Sequence, residues 1–156
     1  MEKEIDTEFK KNCLGDPKRP TAIIQDPVSR KKKALFSRSQ SEYHAKGALN
    51  LINTDTPLLA VKEAYYAAMH KSNELLAIVG YDINSHICSI IGLSKIIKRP
   101  DLADTLRILD DERISVDYNM DPKNPTINIE KVKQLVDMMV KFISEEEKIV
   151  RATGLS

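Results

Sequence analysis

Apolar positions recur at helical spacing over most of the chain, and no long β-branched run alternates with period two. The first such stretch runs from about Ser29 to Asn53. Leu35, Ala45, Ala48, Leu49 and Ile52 form its stripe, and Asn53-Thr54-Asp55 end it. Its opening, Arg30-Lys31-Lys32-Lys33, sets four cations at a helix N-terminus, where the dipole disfavours them, which moves the expected start to between Ser37 and Ser41. A second helix is predicted from Thr56-Pro57 to Val79, with Thr56 as N-cap, Pro57 at the first position and Gly80 as the left-handed stop. A third opens at Asn84 or Ser85 and ends before Pro100. Ile87, Ile90, Ile91, Leu93, Ile96 and Ile97 make it apolar nearly all round, as suits a central helix. Asp101–Leu109 continues as a further turn or short helix, and the helical pattern carries on through Arg113 to about Asp117. Asn119 to Pro125 is a polar connection. The last helix spans Ile129 to Arg151, with Gly154 as its cap.

Residues 1–28 read as irregular, broken by Pro17, Pro20, Pro27 and Gly15, with Ile23-Ile24 available for a short extended contact. The predicted organisation is an irregular, basic N-terminal extension over residues 1–40 and a helical domain over residues 41–152. Short connections between the helices make an all-α, antiparallel up-and-down four-helix bundle the economical arrangement. Composition agrees. The 156 residues suit one domain, 42% are hydrophobic, and aromatics are 5% with no Trp, so the core is mostly aliphatic.

Charge is unevenly placed. The first 40 residues hold ten Lys/Arg and six Asp/Glu; the other 116 hold 14 and 17. A net charge of +1 exerts no global pull on nucleic acid or membrane. The run at residues 30–33 is a solvated face or an arm for nucleic-acid phosphate. Cys13 and Cys88 lack the spacing of a metal or redox pair; no disulfide framework is expected, and Cys88 reads as a small buried thiol. The three histidines have no ligand spacing either, so neither a metal nor a cofactor is expected. No signal peptide or membrane-spanning run is evident, and the expected location is cytoplasmic.

Candidate chemistry sits in two places. One is Asp110-Asp111-Glu112-Arg113-Ile114-Ser115-Val116-Asp117-Tyr118. The other is Ala64-Tyr65-Tyr66-Ala67-Ala68-Met69-His70, continuing through Gly80 to Ser85-His86. An arginine fork beside a phenol and an imidazole suits a phosphate. In order and spacing, these residues, with Glu74-Leu75-Leu76 and the final amphipathic helix, resemble the HEPN domain. The nearest likeness is its small stand-alone prokaryotic branch with an R-x-x-x-D-Y signature, over about Ser41 to Val150. The resemblance implies a bundle that dimerises, a metal-independent ribonuclease in many members, and a partner nucleotidyltransferase in toxin–antitoxin pairs. It makes Arg113 the motif arginine and Arg113, Asp117 and Tyr118 the phosphate- or RNA-binding set. Tyr118 stands where a nuclease has His. A phenol with a pKa of about 10 is a poor base beside an imidazole of about 6.5, so His86 is the candidate missing imidazole. Three functions are open: an RNA-acting, toxin-like protein with Arg113, Tyr118 and His86 as catalytic residues; a non-catalytic module binding nucleotide, RNA or a partner; or a structural bundle with no ligand that only self-associates. Tyr118 is also a possible acceptor for nucleotide transfer if it is exposed. His44, His70 and the Tyr65-Tyr66 pair read as ordinary packing.

Overall fold

The computed structural model describes residues 6–18, 21–118, 120, 121, 123, 125 and 127–154. Its elements in chain order are α1 (Thr7–Phe9), a π-helical turn (Lys10–Leu14), β1 (Thr21–Ile23), α2 (Pro27–Leu51), α3 (Leu59–Ile78), β2 (Tyr81–Ile83), α4 (His86–Lys95), α5 (Pro100–Tyr118) and α6 (Ile129–Ala152). The all-α expectation holds, with one two-stranded antiparallel ribbon added: Thr21 faces Ile83, Ala22 faces Asp82 and Ile23 faces Tyr81.

The expected irregular stretch over residues 1–40 is corrected. Helix α2 starts at Pro27 because Asp26 caps it: its Oδ2 accepts from the Ser29 amide at 2.9 Å and from the Ser29 hydroxyl at 2.8 Å. The carboxylate also offsets the cations of the first turns, and Arg30 turns back to donate its Nε–H to the Ile24 carbonyl at 2.6 Å. Upstream, Phe9 is buried, with its ring edge on Tyr81 and the centroids 5.1 Å apart. Cys13 is bonded to Cys88, which corrects the expected free thiol. A separation of 75 residues hides such a pair from any local spacing rule.

The central element is α3, not α4. From Ala60 to Ala68 its small side chains, with Val61 and Tyr65, are fully buried against Leu102, Leu106 and Leu109 of α5 and Val132, Leu135, Met139 and Phe142 of α6. Alanines at 60, 64, 67 and 68 let neighbouring helices approach closely, so burial concentrates on this helix. The pairs His44–Glu63, Ser41–Ala67 and Arg38–Glu74 run α2 antiparallel to α3. Lys131–Glu112 and Arg99–Glu145 do the same for α6 and α5. Helix α4 ends early, at Lys95; the chain then turns through Lys98, in the left-handed region at φ 65°. Helix α3 stops at Gly80, as expected, with φ 106°. Its start lies at Leu59, after a turn in which the Leu59 amide bonds the Thr56 carbonyl at 3.2 Å.

Candidate functional site

On α3, Glu63, Tyr66, His70 and Asn73 follow one another at helical spacing, beside the buried Tyr65. Helix α2 runs antiparallel above them and contributes His44. The N-terminus of α4, capped by Ser85, contributes His86, and α5 contributes Arg113.

Arg113 is buried, with 8% of its surface exposed. Asp110, Arg113 and Asp117 lie three and four residues apart on one face of α5. Asp110 Oδ1 accepts from Arg113 Nε at 3.1 Å and from Nη2 at 2.7 Å, and Asp117 Oδ2 lies 3.5 Å from Nη1. The guanidinium carbon sits 4.9 Å from the Tyr65 ring centroid and 6.0 Å from that of Tyr66. Burial opposes its charge, but the hydrogen bond and charge of Asp110 outweigh burial and raise its pKa. Arg113 is thus a cation held between two carboxylates and two aromatic faces.

Beneath it, the Tyr65 hydroxyl is bonded to Nδ1 of His86. Burial first, then the charge of Asp110, pushes the Tyr65 pKa upward, so the phenol keeps its proton. That O–H has no other bonded acceptor among the described residues, so it donates to Nδ1, and the His86 hydrogen falls on Nε2. Burial lowers the His86 pKa and the Arg113 charge adds to that, against the pull of Asp110. His86 therefore offers a neutral N–H donor.

Across Tyr66 lies a second group. Glu63 Oε2 stands 2.6 Å from His44 Nδ1 and fixes that ring, leaving Nε2 without a bonded partner among the described residues. The His44 ring stacks on His70 with centroids 5.4 Å apart and planes 5° from parallel, and it contacts Tyr66 at 5.4 Å. Burial, assisted by His44, Lys33 and His86, pushes the His70 pKa down to about 4, so this ring is neutral at pH 7. His70 and His86 line one cavity of about 280 Å³, together with Lys33, Ser37 and Asn73.

Arg113 and His86 are therefore brought together, with Tyr65 between them. Arg113 and Asp117 also meet. Tyr118 does not join them: it ends α5 with 75% of its surface exposed, while Arg113 is turned inward. Asp110 and Asp117 hold the Arg113 guanidinium instead. The sequence reads His44, Tyr65 and His70 as packing and does not single out Glu63. For Glu63 and His70 the signal is the stripe 63, 66, 70, 73, which is polar or aromatic on an alanine-rich helix.

A second buried polar group lies along α3. Glu74 is fully buried, with Arg38 Nε 2.6 Å from one oxygen and Lys71 Nζ 2.7 Å from the other. Lys71 also meets Glu147. Glu146 is fully buried and accepts from the Ser72 hydroxyl at 3.0 Å; burial raises its pKa well above the usual carboxylate range. The charges of Arg38, Lys71, Glu74 and Glu147 compensate one another, as a structural network does.

No protein-family model matches this sequence, and no curated protein does. Among the described residues, no group of three or more His, Cys, Asp and Glu side chains is placed to hold a metal ion. No helix among them is long and apolar enough to cross a membrane.

Proposed function

We propose that this chain is a HEPN-type helical bundle that acts on RNA in the cytoplasm, as the toxin-like half of a pair with a minimal nucleotidyltransferase, and works as a homodimer. The observation that carries the reading is the Tyr65–His86 hydrogen bond lying under the Arg113 guanidinium. In this reading Arg113 is a positioning residue: it holds Tyr65, and Tyr65 holds His86. The Nε2–H of His86 donates to a phosphate oxygen. His44, oriented by Glu63, takes the proton of the 2′-hydroxyl. The 2′-oxygen attacks phosphorus, the bond to the 5′-oxygen breaks, and that oxygen takes a proton from water.

The test is cleavage of structured and single-stranded RNA by the purified chain in a chelator. Wild type should cleave. His86→Ala and His44→Ala should each slow cleavage by about 100-fold, the usual worth of a positioned proton-transfer group. Arg113→Lys should slow it too, since a point charge cannot reproduce the fork on Asp110 and the stack on Tyr65. RNA left intact by wild type, freed of its partner, would sink the nuclease reading.

A second reading is favoured by the two carboxylates that occupy Arg113. It is a non-catalytic module that binds nucleotide, RNA or the nucleotidyltransferase. The exposure of Tyr118 supports its use as an acceptor for nucleotide transfer. Incubation with the partner enzyme and nucleoside triphosphates should then add nucleotide mass to wild type and none to Tyr118→Phe.

A further inference from the structure

Helix α2 turns three of its larger apolar side chains away from the core. The residues it buries are small: Ala34, Ser37, Ser41 and Ala48. Val28, Leu35 and Leu49 face outward, 74, 46 and 51% exposed. They are spaced by multiples of seven residues, with Glu42 at the remaining place, so they follow one line along the helix for about 32 Å. Lys31, Arg38 and Ala45 each stand three residues on from one of these places, beside the line. An ordinary surface helix turns such a stripe toward its own core.

Two hollows lie along the line and share Arg38. One, of about 320 Å³, is lined by Val28, Lys31 and Leu35, with Ile78 of α3. The other, of about 420 Å³, lies between Glu42 and Ala45 of α2 and Val140, Ile143 and Glu147 of α6. Helix α2 packs along α3 and touches α6 only at its margin, so the hollows join into a groove along α2. A groove with an apolar line and polar rims is the usual seat of an amphipathic helix.

Charge selects the occupant. Lys31 pairs with no carboxylate among the described residues. Arg38 gives its Nε–H to the buried Glu74, and its two terminal nitrogens have no hydrogen-bonded partner among the described residues. On the α6 side, Lys148 and Arg151 stand in exposed, weak pairs with Glu145 and Glu147. Glu147 is also held by Lys71, which leaves Glu42 as the free carboxylate of the groove. A second copy of α2 is a poor match. Antiparallel pairing of Val28 with Leu49 sets Lys31 against Lys46 and brings the two Arg38 side chains together. Parallel pairing sets Lys31, Arg38 and Glu42 each against its own copy. A bilayer is a poor match too, because a flat surface does not enter a groove.

We propose that this groove docks an acidic amphipathic helix of another protein. The apolar residues of that helix, seven apart, cover Val28, Leu35 and Leu49, its carboxylates meet Lys31 and Arg38, and a cation on it meets Glu42. The inference goes beyond the RNA reading and does not rest on it: the groove shares no lining residue with the group around Tyr65 and His86.

Fluorescence anisotropy with a labelled synthetic peptide tests it. The peptide is helical, about three heptads long, with Leu on the seam and Glu beside it. A twin with Lys in place of each Glu, and vesicles of phosphatidylserine and phosphatidylcholine, are the controls. The acidic peptide should bind the full chain saturably, more weakly as salt rises, and at least about tenfold tighter than its twin. Leu35→Ser should weaken it about tenfold and Lys31→Glu about fivefold. Both positions are exposed, and circular dichroism and thermal unfolding establish that the variants fold. No binding at millimolar peptide, equal binding of the twin, or binding unmoved by both variants overturns the proposal. Vesicle binding that is lost in Leu35→Ser gives the face to a bilayer, and a dimer lost in Leu35→Ser by sedimentation gives it to a second copy; either result also overturns it.

Discussion

At the residue scale the structure turns on hydrogen-bond direction. Tyr65 donates to His86 because the buried phenol has no other bonded acceptor among the described residues and its pKa is raised. Tyr65→Phe should therefore release the ring. Nitrogen-15 NMR of wild-type His86 should show hydrogen on Nε2, and the variant should show a mixture of both tautomers. The variant should also lose about 1 kcal/mol of stability, the usual worth of one such bond, by urea denaturation. A second prediction concerns His70, whose folded pKa of about 4 lies below the unfolded value near 6.5. Between these values the unfolded chain binds more protons than the folded one. Stability should therefore rise as pH increases from about 4 to about 6.5 and then level off. His70→Gln should flatten that part of the profile. A profile unchanged by the substitution would assign the slope to other groups.

At the element scale the clearest lesson comes from two similar dipeptides. Thr56-Pro57 and Asp26-Pro27 both carry the signature of a capping residue followed by proline. The rule predicts a helix start at the first, and the structure puts a turn there, with α3 beginning at Leu59. The second is the true start of α2, although the four cations that follow it argue against a start there. Dipole repulsion of exposed cations is worth about 0.3–1 kcal/mol each and is screened by salt, whereas a cap is worth about 1 kcal/mol and acts with the packing of 25 residues of helix. The long amphipathic helices were legible because periodicity reports burial directly. The site was only half legible. Arg113 and His86 stood out as residue types, but their partner Tyr65 looked like packing, and it is in fact fully buried. Gly80 ends α3 in the left-handed region, as its sequence position predicts, and permits a sharp prediction. Its φ of 106° is one that side-chain-bearing residues avoid, and an added Cβ would lie 2.8 Å from the Arg30 guanidinium. That guanidinium holds the Ile24 carbonyl at the ribbon edge. Gly80→Ala should therefore cost about 1–2 kcal/mol in urea denaturation and loosen the β1–β2 ribbon, seen as faster amide exchange at Ile24.

At the scale of the whole molecule the decisive feature is one that no local pattern announces. Phe9, Cys13, Leu76, Ile83 and Cys88 form a small core of their own, beside the larger one between α3, α5 and α6. Besides this apolar packing, the N-terminal segment is tied on by the Cys13–Cys88 bond, the Glu8–Lys95 ion pair at 3.2 Å and the short ribbon. The ion pair is exposed and worth little. The cystine closes a loop of 75 residues, and chain entropy alone makes that worth about 4 kcal/mol. In a cytoplasm that keeps thiols reduced, the segment would lose this tie. The α3–α5–α6 core draws no residue from it, so the loss should be local. Trypsin digestion with a thiol reductant should therefore cut first at Lys10, Lys11 and Lys18, leaving a resistant fragment that begins near α2. Oxidised protein should resist at those sites, and Cys13→Ser should behave like the reduced chain. Because Cys88 sits two residues after His86 on α4, the same comparison can be repeated on RNA cleavage. A change in rate on reduction, without loss of the resistant fragment, would mean that the segment steadies the N-terminus of α4. Digestion that spreads at once through α3 and α6 would mean that the two cores fold as one, and the separation drawn here would be wrong.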